Sequence, residues 1–439
     1  MSAELWCRMA SATVANSQRW PREVGWIATR RMFSGVRVNI GLSDLDGSAI
    51  AVDPNSPNFD NLNLIFDLLI AARLKCQLGI GGDGPPNNNA WRMLASGTTT
   101  AWSHNKRPPK GVGNGLVDKA AEIKSAAIGV MFDRYAAAGL DPFQYCAVEM
   151  WNEPARGGAG APPKLDPYWT TGTLYDEGTW DSPSNDPSPS ATDYTTFAEY
   201  MSLEAPQIDF RCLPIVAPSF TSAMLDQSTN GLAEELLTCL DDADDWLEVY
   251  RSSPTPTWGI NCYYGLSDSS ISLGARLFAN RAVNGRDLRL ESTSDKNAII
   301  RRLAEVRTFL DTNQLPCRPE GITICEAGVQ PTHLGMSTTI ASRSRKLNYF
   351  ELGRARLEYL DRLRQMSVDR VILYTASDTS STAITDRYGA FTDDLGTTNE
   401  ETYSAEIPFS QRAGISTLTP YAGASYLLAT EEVLPPRLT

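Results

Sequence analysis

The sequence predicts a (β/α)8 barrel, and three observations lead to that fold class. Short apolar runs rich in β-branched residues alternate with longer stretches of helical periodicity, and eight such pairs occur. Continuous apolar strands joined by helical crossovers imply a parallel sheet that is buried on both faces. Eight strand–helix units are the number that closes such a sheet into a barrel, with an open doubly wound sheet as the alternative.

Eight segments have the length and composition of buried strands. They are ELWCRMA (4–10), GVRVNIG (35–41), CQLGIGG (76–82), YCAVEMW (145–151), CLPIVAP (212–218), WGINCYY (258–264), GITICEA (321–327) and RVILYTA (370–376). Apolar residues follow one another in these segments and do not alternate with polar ones, a pattern that is typical of strands covered on both faces.

Helical periodicity follows most of these strands. Apolar residues recur at i, i+3, i+4 and i+7 in residues 59–75, 117–139, 294–312 and 346–366. A further helix, residues 419–433, opens with a threonine cap and a proline and ends before a proline pair. A shorter helix is predicted around residues 231–246, although its acidic part LDDADDW has the composition of a solvated turn.

We expect a single domain that spans residues 1–439. A bare barrel needs about 250 residues, so the remainder must form long loops. The excess falls after strands, in residues 83–116, 152–191, 265–293, 327–344 and 377–418. These loops are predicted to build the rim at the carboxyl ends of the strands, where barrel enzymes hold their active sites.

Composition and charge exclude several classes of partner. The chain has 39 Lys and Arg against 52 Asp and Glu, a net charge of -13, which opposes binding to nucleic acid or an anionic membrane. No stretch reaches the ~20 apolar residues of a membrane span, and the N-terminal residues do not form a secretory signal. The eight cysteines lack C-x-x-C spacing, and most sit in apolar runs. We therefore expect buried, reduced thiols in a protein made in the cytoplasm.

Cofactor and metal motifs are weak. GIGGDG (79–84) matches the dinucleotide fingerprint G-x-G-x-x-G, but PPNNNAW follows, and no helix can open through two prolines to face a pyrophosphate. The two histidines, His104 and His333, are far apart and show no ligand spacing. We expect neither a cofactor nor a metal, and the glycines are predicted to serve a tight strand exit near a ligand pocket.

Two glutamates end predicted strands, and together they suggest a hydrolytic site. In VEMWNEP (148–154), a period of two places Glu149 and Glu153 on one side of the strand and directs Asn152 elsewhere. Glu326 closes the seventh strand. Alone, each is explained by a solvated loop or a salt bridge. As a pair at the same end of a barrel they supply the acid and the nucleophile that cleavage of a glycosidic bond requires.

The motif WNEP at the end of strand four, with a glutamate closing strand seven, resembles clan A of the retaining glycoside hydrolases. The fuller VEMWNEP is most similar to the β-xylosidase/α-L-iduronidase family, followed by the endoglucanase-like cellulase family. The resemblance implies that Glu153 is the acid/base, that Asn152 binds the sugar 2-hydroxyl and that Glu326 is the nucleophile. It also implies a carbohydrate substrate.

Weaker matches extend around the rim. VRV (36–38) resembles the clan's strand-two motif, which implies that Arg37 contacts the nucleophile; an internal salt bridge with Glu149 is the alternative. INCYY (260–264) resembles a strand-six His-x-Tyr, which implies that Tyr263 hydrogen-bonds the nucleophile.

Three positions depart from the clan's pattern. Asn261 stands where a histidine is common, and Tyr374 in YTASD stands where a tryptophan forms the floor of the sugar site. No histidine follows strand three, although His104 in the next loop could reach the site. We therefore expect the chemistry to be kept and the sugar pocket to differ from that of a standard xylosidase or cellulase.

Tryptophans in the predicted rim loops offer stacking surfaces for sugars, or alternatively pin the loops to one another. They are Trp91, Trp102, Trp169, Trp180 and Trp258, and Trp169 is the one we assign to substrate binding.

The sequence thus predicts a retaining hydrolase of β-glycosidic bonds in an oligo- or polysaccharide. The alternative is a non-catalytic glycan-binding or structural barrel in a larger assembly such as a phage particle. A polysaccharide lies outside cells, so an enzyme without an export signal would be carried on a virion, released by lysis or act on intracellular oligosaccharides. The sugar, endo or exo action and the oligomeric state stay open.

Overall fold

The structure is a computed structural model that describes most of the strands and about half of the intervening segments. The described residues are 3–10, 17–29, 33–45, 52–81, 116–152, 155–156, 164–165, 201, 204–217, 219–221, 244–263, 307–308, 311, 321–329, 336–337, 345–346, 359–360, 363–364, 368–378, 388–389 and 391–392. The helix predicted at 419–433 lies outside them, and the helices predicted at 294–312 and 346–366 are described only in part.

Eight parallel strands form the barrel, and each falls on a predicted strand. They are β1 (Glu4–Arg8), β2 (Gly35–Gly41), β3 (Lys75–Gly81), β4 (Cys146–Glu149), β5 (Ile215–Val216 and Phe220–Thr221), β6 (Trp258–Tyr263), β7 (Ile322–Gly328) and β8 (Arg370–Leu373). Neighbours in the chain are neighbours in the sheet, and β8 pairs with β1. The predicted (β/α)8 fold is confirmed.

The ring is completed through the interrupted strand β5. Its first piece pairs with β4, and its second pairs with β6. Two isolated parallel bridges, Asn152 with Ser219 and Val216 with Thr257, join the same strands around the interruption. The two pieces of β5 therefore connect β4 to β6 and complete the ring.

The described helices lie between successive strands. They are α1 (Trp20–Thr29), α2 (Leu42–Leu45), α3 (Asp60–Ala71), α4 (Leu116–Ala137), α5 (Pro142–Tyr145) and α6 (Asp244–Ser252), with 3-10 turns at Pro57–Phe59 and Ala205–Gln207. The sequence missed α1. It was also wrong to place a turn throughout LDDADDW, because α6 begins at Asp244; acidic residues are favourable in a first helical turn. No helix among these is long and apolar enough to cross a membrane.

The apolar core lies between the strands and the helices. Alternate residues of β2 are buried there, and so are residues of α3 at the predicted helical spacing. They are Val36, Val38 and Ile40 on the strand, and Leu62, Ile65, Phe66 and Leu69 on the helix. Of the six described cysteines five are buried and one, Cys212, is exposed, and all six are free thiols.

The other face of the strands points into the barrel, and this interior contains polar side chains. Arg37 on β2, Gln77 on β3 and Glu149 on β4 are all buried. A buried polar group is costly unless it is hydrogen-bonded, so these side chains must satisfy one another. They are the starting point of the candidate site.

A β-bulge in β7 brings Glu326 to this interior. Opposite β6, Ile324 pairs with Ile260 and Glu326 pairs with Asn261, so Cys325 is an extra residue on β7. The register with β8 shifts over the same residues. A bulge redirects the side chain that follows it. Without it, strict alternation from Ile324 would place Cys325 and Glu326 on opposite faces, whereas both contact the interior side chains of β2 or β3.

The break in β5 depends on a glycine in β6. A Cβ on Gly259 would lie 2.7 Å from the carbonyl oxygen of Ala217 and 2.9 Å from Cα of Ser219. We expect Gly259→Ala to lower the free energy of unfolding by about 1–3 kcal/mol, because backbone must move to accept the methyl group. Gly25→Ala is the control: no atom lies within 4 Å of its Cβ position in α1. Urea unfolding of both variants measures the difference, and equal stability would contradict the close approach.

At the opposite end of the barrel Glu4 pairs with Lys75 and accepts a hydrogen bond from Trp6 Nε1 (2.8 Å). Burial alone would raise the pKa of Glu4, but the hydrogen bonds from Lys75 and Trp6 outweigh it and hold the pKa below its usual 4.5. The resulting stabilisation is present above the usual pKa and is lost as the pH falls through the lowered one.

We therefore expect the stability of Glu4→Gln to fall less steeply with acid than that of the wild type. Urea unfolding at several values between about pH 3 and 5 measures the slope. Asp133→Asn, at an exposed position of α4, is the control. A slope for Glu4→Gln as steep as that of the wild type would refute the role of Glu4.

Candidate active site

Arg37 stands at the centre of the polar interior, and each of its five N–H groups has an acceptor. Its Nε and Nη2 atoms donate to the two oxygens of Glu149 (2.6 and 2.7 Å). Nη1 donates to Glu326 Oε1 (2.6 Å) and to the carbonyl of Cys325 (3.3 Å). Nη2 also donates to Asn152 Oδ1 (3.0 Å). The planar guanidinium therefore joins strands β2, β4 and β7 at one point.

The sequence offered two roles for Arg37, contact with the candidate nucleophile and a salt bridge with Glu149. The structure contains both. The side chain is fully buried. Burial alone would lower the pKa of Arg37, but attraction to Glu149 and then Glu326 raises it well above its usual value. The cation is thus fixed in place by two carboxylates.

Glu149 is held on every side by donors. Besides Arg37, Gln77 Nε2 donates to its Oε2 (2.9 Å), and Ser219 Oγ donates to its Oε1 (2.8 Å). Gly79 is the neighbour of Glu149 on β3, and a Cβ there would lie 3.6 Å from Oε2 and 2.8 Å from the side chain of Asn39. This glycine of the GIGGDG segment therefore makes room for the side chain of Asn39, whereas the distance to the Glu149 carboxylate is an ordinary van der Waals contact.

Asn152 points into the same network, and here the predicted alternation is wrong. Strand β4 ends at Glu149, so the period of two no longer applies to the residues after it. Trp151 turns outward, where Lys124 Nζ of α4 lies 4.8 Å from its ring centroid. Asn152 turns inward, and its Oδ1 accepts from Asn261 Nδ2 (3.3 Å) as well as from Arg37, while Ser219 Oγ lies 3.0 Å away.

These contacts decide the orientation of the Asn152 amide. Arginine can only donate, so the atom that faces Arg37 must be the amide oxygen. The NH₂ group then lies on the other side of the amide, as a hydrogen-bond donor. Asn261 stands where a histidine is common in the clan that the sequence resembles. It is fully buried, and its hydrogen bond to Oδ1 helps to orient the Asn152 amide.

A second buried ion pair supports the turn after β4. Lys124 Nζ lies 2.7 Å from Glu204 Oε2, and both side chains are almost fully buried. Burial lowers the pKa of Lys124, and Glu204 offsets only part of that effect. Because the ammonium also faces the ring of Trp151, the pair fixes the residue next to Asn152.

Glu326 is 3% exposed and is bound by two arginines. Arg37 Nη1 lies 2.6 Å from its Oε1, and Arg8 Nη1 lies 3.1 Å from the same oxygen. The Arg8 guanidinium in turn lies 4.4 Å from the ring centroid of Tyr374. Tyr374 packs edge-on against Tyr388, with ring centroids 5.3 Å apart.

The structure thus brings together five of the residues selected from the sequence: Arg37, Asn152, Asn261, Glu326 and Tyr374. Tyr263 ends β6, but its side chain lies outside the described part of the structure. Glu153, His104 and Trp169 also lie outside it. Trp258 was wrongly placed in the rim: it begins β6 and is buried edge-on against Tyr250.

Sequence reasoning missed Arg8, Gln77 and Ser219. Arg8 and Gln77 are polar residues within otherwise apolar strand segments, and that mismatch was the available signal. Ser219 lies in the break of β5, which no pattern indicated. Among the described residues, no three His, Cys, Asp or Glu side chains are arranged to hold a metal ion.

Solved structures with a similar fold are glycoside hydrolases. A family 39 glycoside hydrolase from Bacteroides cellulosilyticus WH2 matches 99% of this chain and 64% of its own length, at 10% identity and a TM-score of 0.50. A GH5_18 variant from Streptomyces cattleya, in complex with Manb1-4GlcNAc, matches 99% of this chain and 82% of its own, at 12% identity and a TM-score of 0.50. The fold is shared.

This chain therefore spans less than two thirds of the length of the Bacteroides enzyme. In sequence comparisons, no protein-family model and no curated protein matches the chain. The structural similarity agrees with the (β/α)8 barrel predicted from the strand count.

The charge balance around Arg37 makes a prediction about stability. Arg37→Met leaves two buried carboxylates without their shared cation, so we expect it to lower the free energy of unfolding by about 3–5 kcal/mol. In Arg37→Met/Glu149→Gln one of those charges is also removed. We expect the double variant to lose much less stability than the sum of the two single variants. Denaturant unfolding of the four proteins completes the cycle, and additive losses would contradict the coupling.

Proposed function

We propose that the protein is a retaining glycoside hydrolase that cleaves β-glycosidic bonds in an oligo- or polysaccharide. One observation carries the proposal: Glu326 and Asn152 meet on the same buried arginine at the carboxyl ends of β7 and β4. Glu153 follows Asn152 directly in the sequence. Two carboxyl groups that face each other across a barrel mouth are the machinery of glycoside hydrolysis.

In the first step, Glu326 is the nucleophile. A lone pair of its carboxylate forms a bond to the anomeric carbon while the bond to the leaving oxygen breaks. Glu153 donates its proton to that oxygen, so the leaving group departs as an alcohol. The product of the step is a glycosyl ester on Glu326.

In the second step, water hydrolyses the ester. Glu153, now a carboxylate, takes a proton from the water as its oxygen attacks the anomeric carbon. The electron pair of the ester bond returns to Glu326. Retention of configuration requires carboxyl groups about 5–5.5 Å apart, and we expect that separation between Glu153 and Glu326.

Neighbouring residues have supporting roles in this proposal. Asn152 directs its NH₂ group to the sugar 2-hydroxyl, because its oxygen is occupied by Arg37 and Asn261. Tyr263 is assigned the role of a hydrogen-bond partner of Glu326, the nucleophile. The Tyr374 ring, at the position of a floor tryptophan in the resembling clan, borders the sugar pocket, and His104 and Trp169 are assigned to the rim around the substrate.

The shared fold supports a carbohydrate substrate, since the Streptomyces cattleya structure contains Manb1-4GlcNAc. No cofactor is required by the two-carboxylate chemistry. We place no nucleic acid or membrane among the partners, in keeping with the net charge of -13.

The roles of the two carboxyl groups are separated by substrates with different leaving groups. With aryl β-glycosides, we expect Glu326→Gln to abolish turnover. Glu153→Gln should lower kcat/KM by a factor of about 100 or more for substrates with poor leaving groups and spare kcat/KM for dinitrophenyl glycosides, whose departure needs no proton. Values of kcat/KM over a panel of xylosides, glucosides and mannosides measure both effects.

Glu248→Gln, an exposed position on α6, is the matched control and should keep the wild-type rates. Equal losses on both leaving-group classes would overturn the assignment of Glu153. A wild-type protein that binds oligosaccharides and hydrolyses none of the panel would favour the non-catalytic barrel.

A further inference from the structure

One carboxylate oxygen of Glu326 accepts hydrogen bonds from two arginines. Arg37 and Arg8 come from different strands, and both donate to Oε1. Arg37 is fully buried and is shared with Glu149. Arg8 ends β1, and its side chain is 17% exposed, so it lies at the mouth of the barrel.

The position of Arg8 is well defined. Its guanidinium lies over the Tyr374 ring, an arrangement in which a cation is attracted to the face of an aromatic ring. Its main-chain carbonyl accepts hydrogen bonds from Ala376 N (2.9 Å) and Thr375 Oγ1 (3.1 Å). The segment after β8 therefore holds both the backbone and the side chain of Arg8.

The geometry points to Arg8 as a positioning residue that assists the departure of Glu326 from the glycosyl-enzyme. This inference rests on the proposed function, since it assigns a role within the second step of that reaction. It concerns a residue that neither the motifs nor the resemblance singled out.

Oε1 of Glu326 accepts hydrogen bonds from both arginines. An oxygen that accepts hydrogen bonds from two cations has its lone pairs committed and is a poor nucleophile. Attack on the anomeric carbon is therefore assigned to Oε2, and Oε1 becomes the carbonyl oxygen of the ester. Arg8 and Arg37 then donate to that carbonyl.

The two steps place opposite demands on Arg8. In the first step Glu326 loses its negative charge, so a hydrogen bond from Arg8 favours the starting state and does not assist the attack. In the second step the charge returns to Glu326 as the ester bond breaks, so the same hydrogen bond becomes stronger in the transition state. Only interactions that strengthen on the way to the transition state accelerate a step.

Arg8→Met removes the guanidinium and keeps an unbranched side chain in place of the aliphatic stem of the arginine. Hydrogen bonds to charged groups are strong enough that we expect a slowing of the second step by about 10- to 100-fold. With dinitrophenyl glycosides, for which the second step limits turnover, kcat and KM should both fall. The ratio kcat/KM, which reports the first step, should stay the same or rise, because the hydrogen bond from Arg8 favours the starting state of that step. The glycosyl-enzyme should accumulate, visible as a burst of dinitrophenol and as a mass increase on the intact protein.

Arg8→Lys, which keeps the charge without the planar fork, should show an intermediate slowing. It also provides the test if Arg8→Met has no cooperative melting transition. Reactivation of protein trapped with a 2-deoxy-2-fluoro glycoside measures the second step directly. Arg134→Met, at an ion pair between α4 and α3, is the control and should match the wild type in every rate.

The outcomes separate this inference from the proposed function. If the wild type hydrolyses no glycoside, the proposed function fails. If the wild type is active and Glu326→Gln is not, two results overturn the role of Arg8 alone. One is wild-type kinetics in Arg8→Met, and the other is a loss of kcat/KM without accumulated glycosyl-enzyme, which a purely structural role would produce.

Discussion

Arg37 imposes the constraint on which the polar interior of the barrel depends. A fully buried guanidinium must have acceptors for five N–H groups and a compensating negative charge, because water is not available for either purpose. The acceptors come from the carboxyl ends of β4 and β7 and from the turn after β4. A single side chain thus sets the relative positions of Glu149, Glu326 and Asn152.

The irregular positions in the barrel strands lie around the guanidinium of Arg37. The bulge at Cys325 brings Glu326 to the side of the strand that faces Arg37. The break in β5 brings Ser219 to Glu149. Regular strands would alternate their side chains and could not present adjacent residues to one centre. Local departures from ideal geometry are therefore the means by which the interior charges are paired.

The barrel itself could be predicted from the sequence, because each strand is a continuous apolar run and buried parallel strands require that composition. The candidate site could be predicted only where a residue lies near the end of a predicted strand, as with Glu326, or belongs to a motif, as with Asn152. The inward turn of Asn152 could not, since alternation stops where the strand stops. The bulge at Cys325 could not be predicted either, because it is defined by the pairing of β7 with both β6 and β8. The role inferred for Arg8 depends on its contacts with Glu326 and Tyr374, two residues that are distant from it in the sequence.

The pairing of Arg37 with two carboxylates has a consequence for the proposed reaction. When Glu326 becomes an ester its charge disappears, and a buried arginine that relied on it alone would be left uncompensated at a large cost. Glu149 holds the Nε and Nη2 edge of Arg37 and takes no part in the bond changes. The cation is therefore balanced in both the free enzyme and the glycosyl-enzyme, and its position need not change between the two steps. In the proposed reaction, Glu149 therefore has the role of keeping Arg37 in place while Glu326 gains and loses its charge.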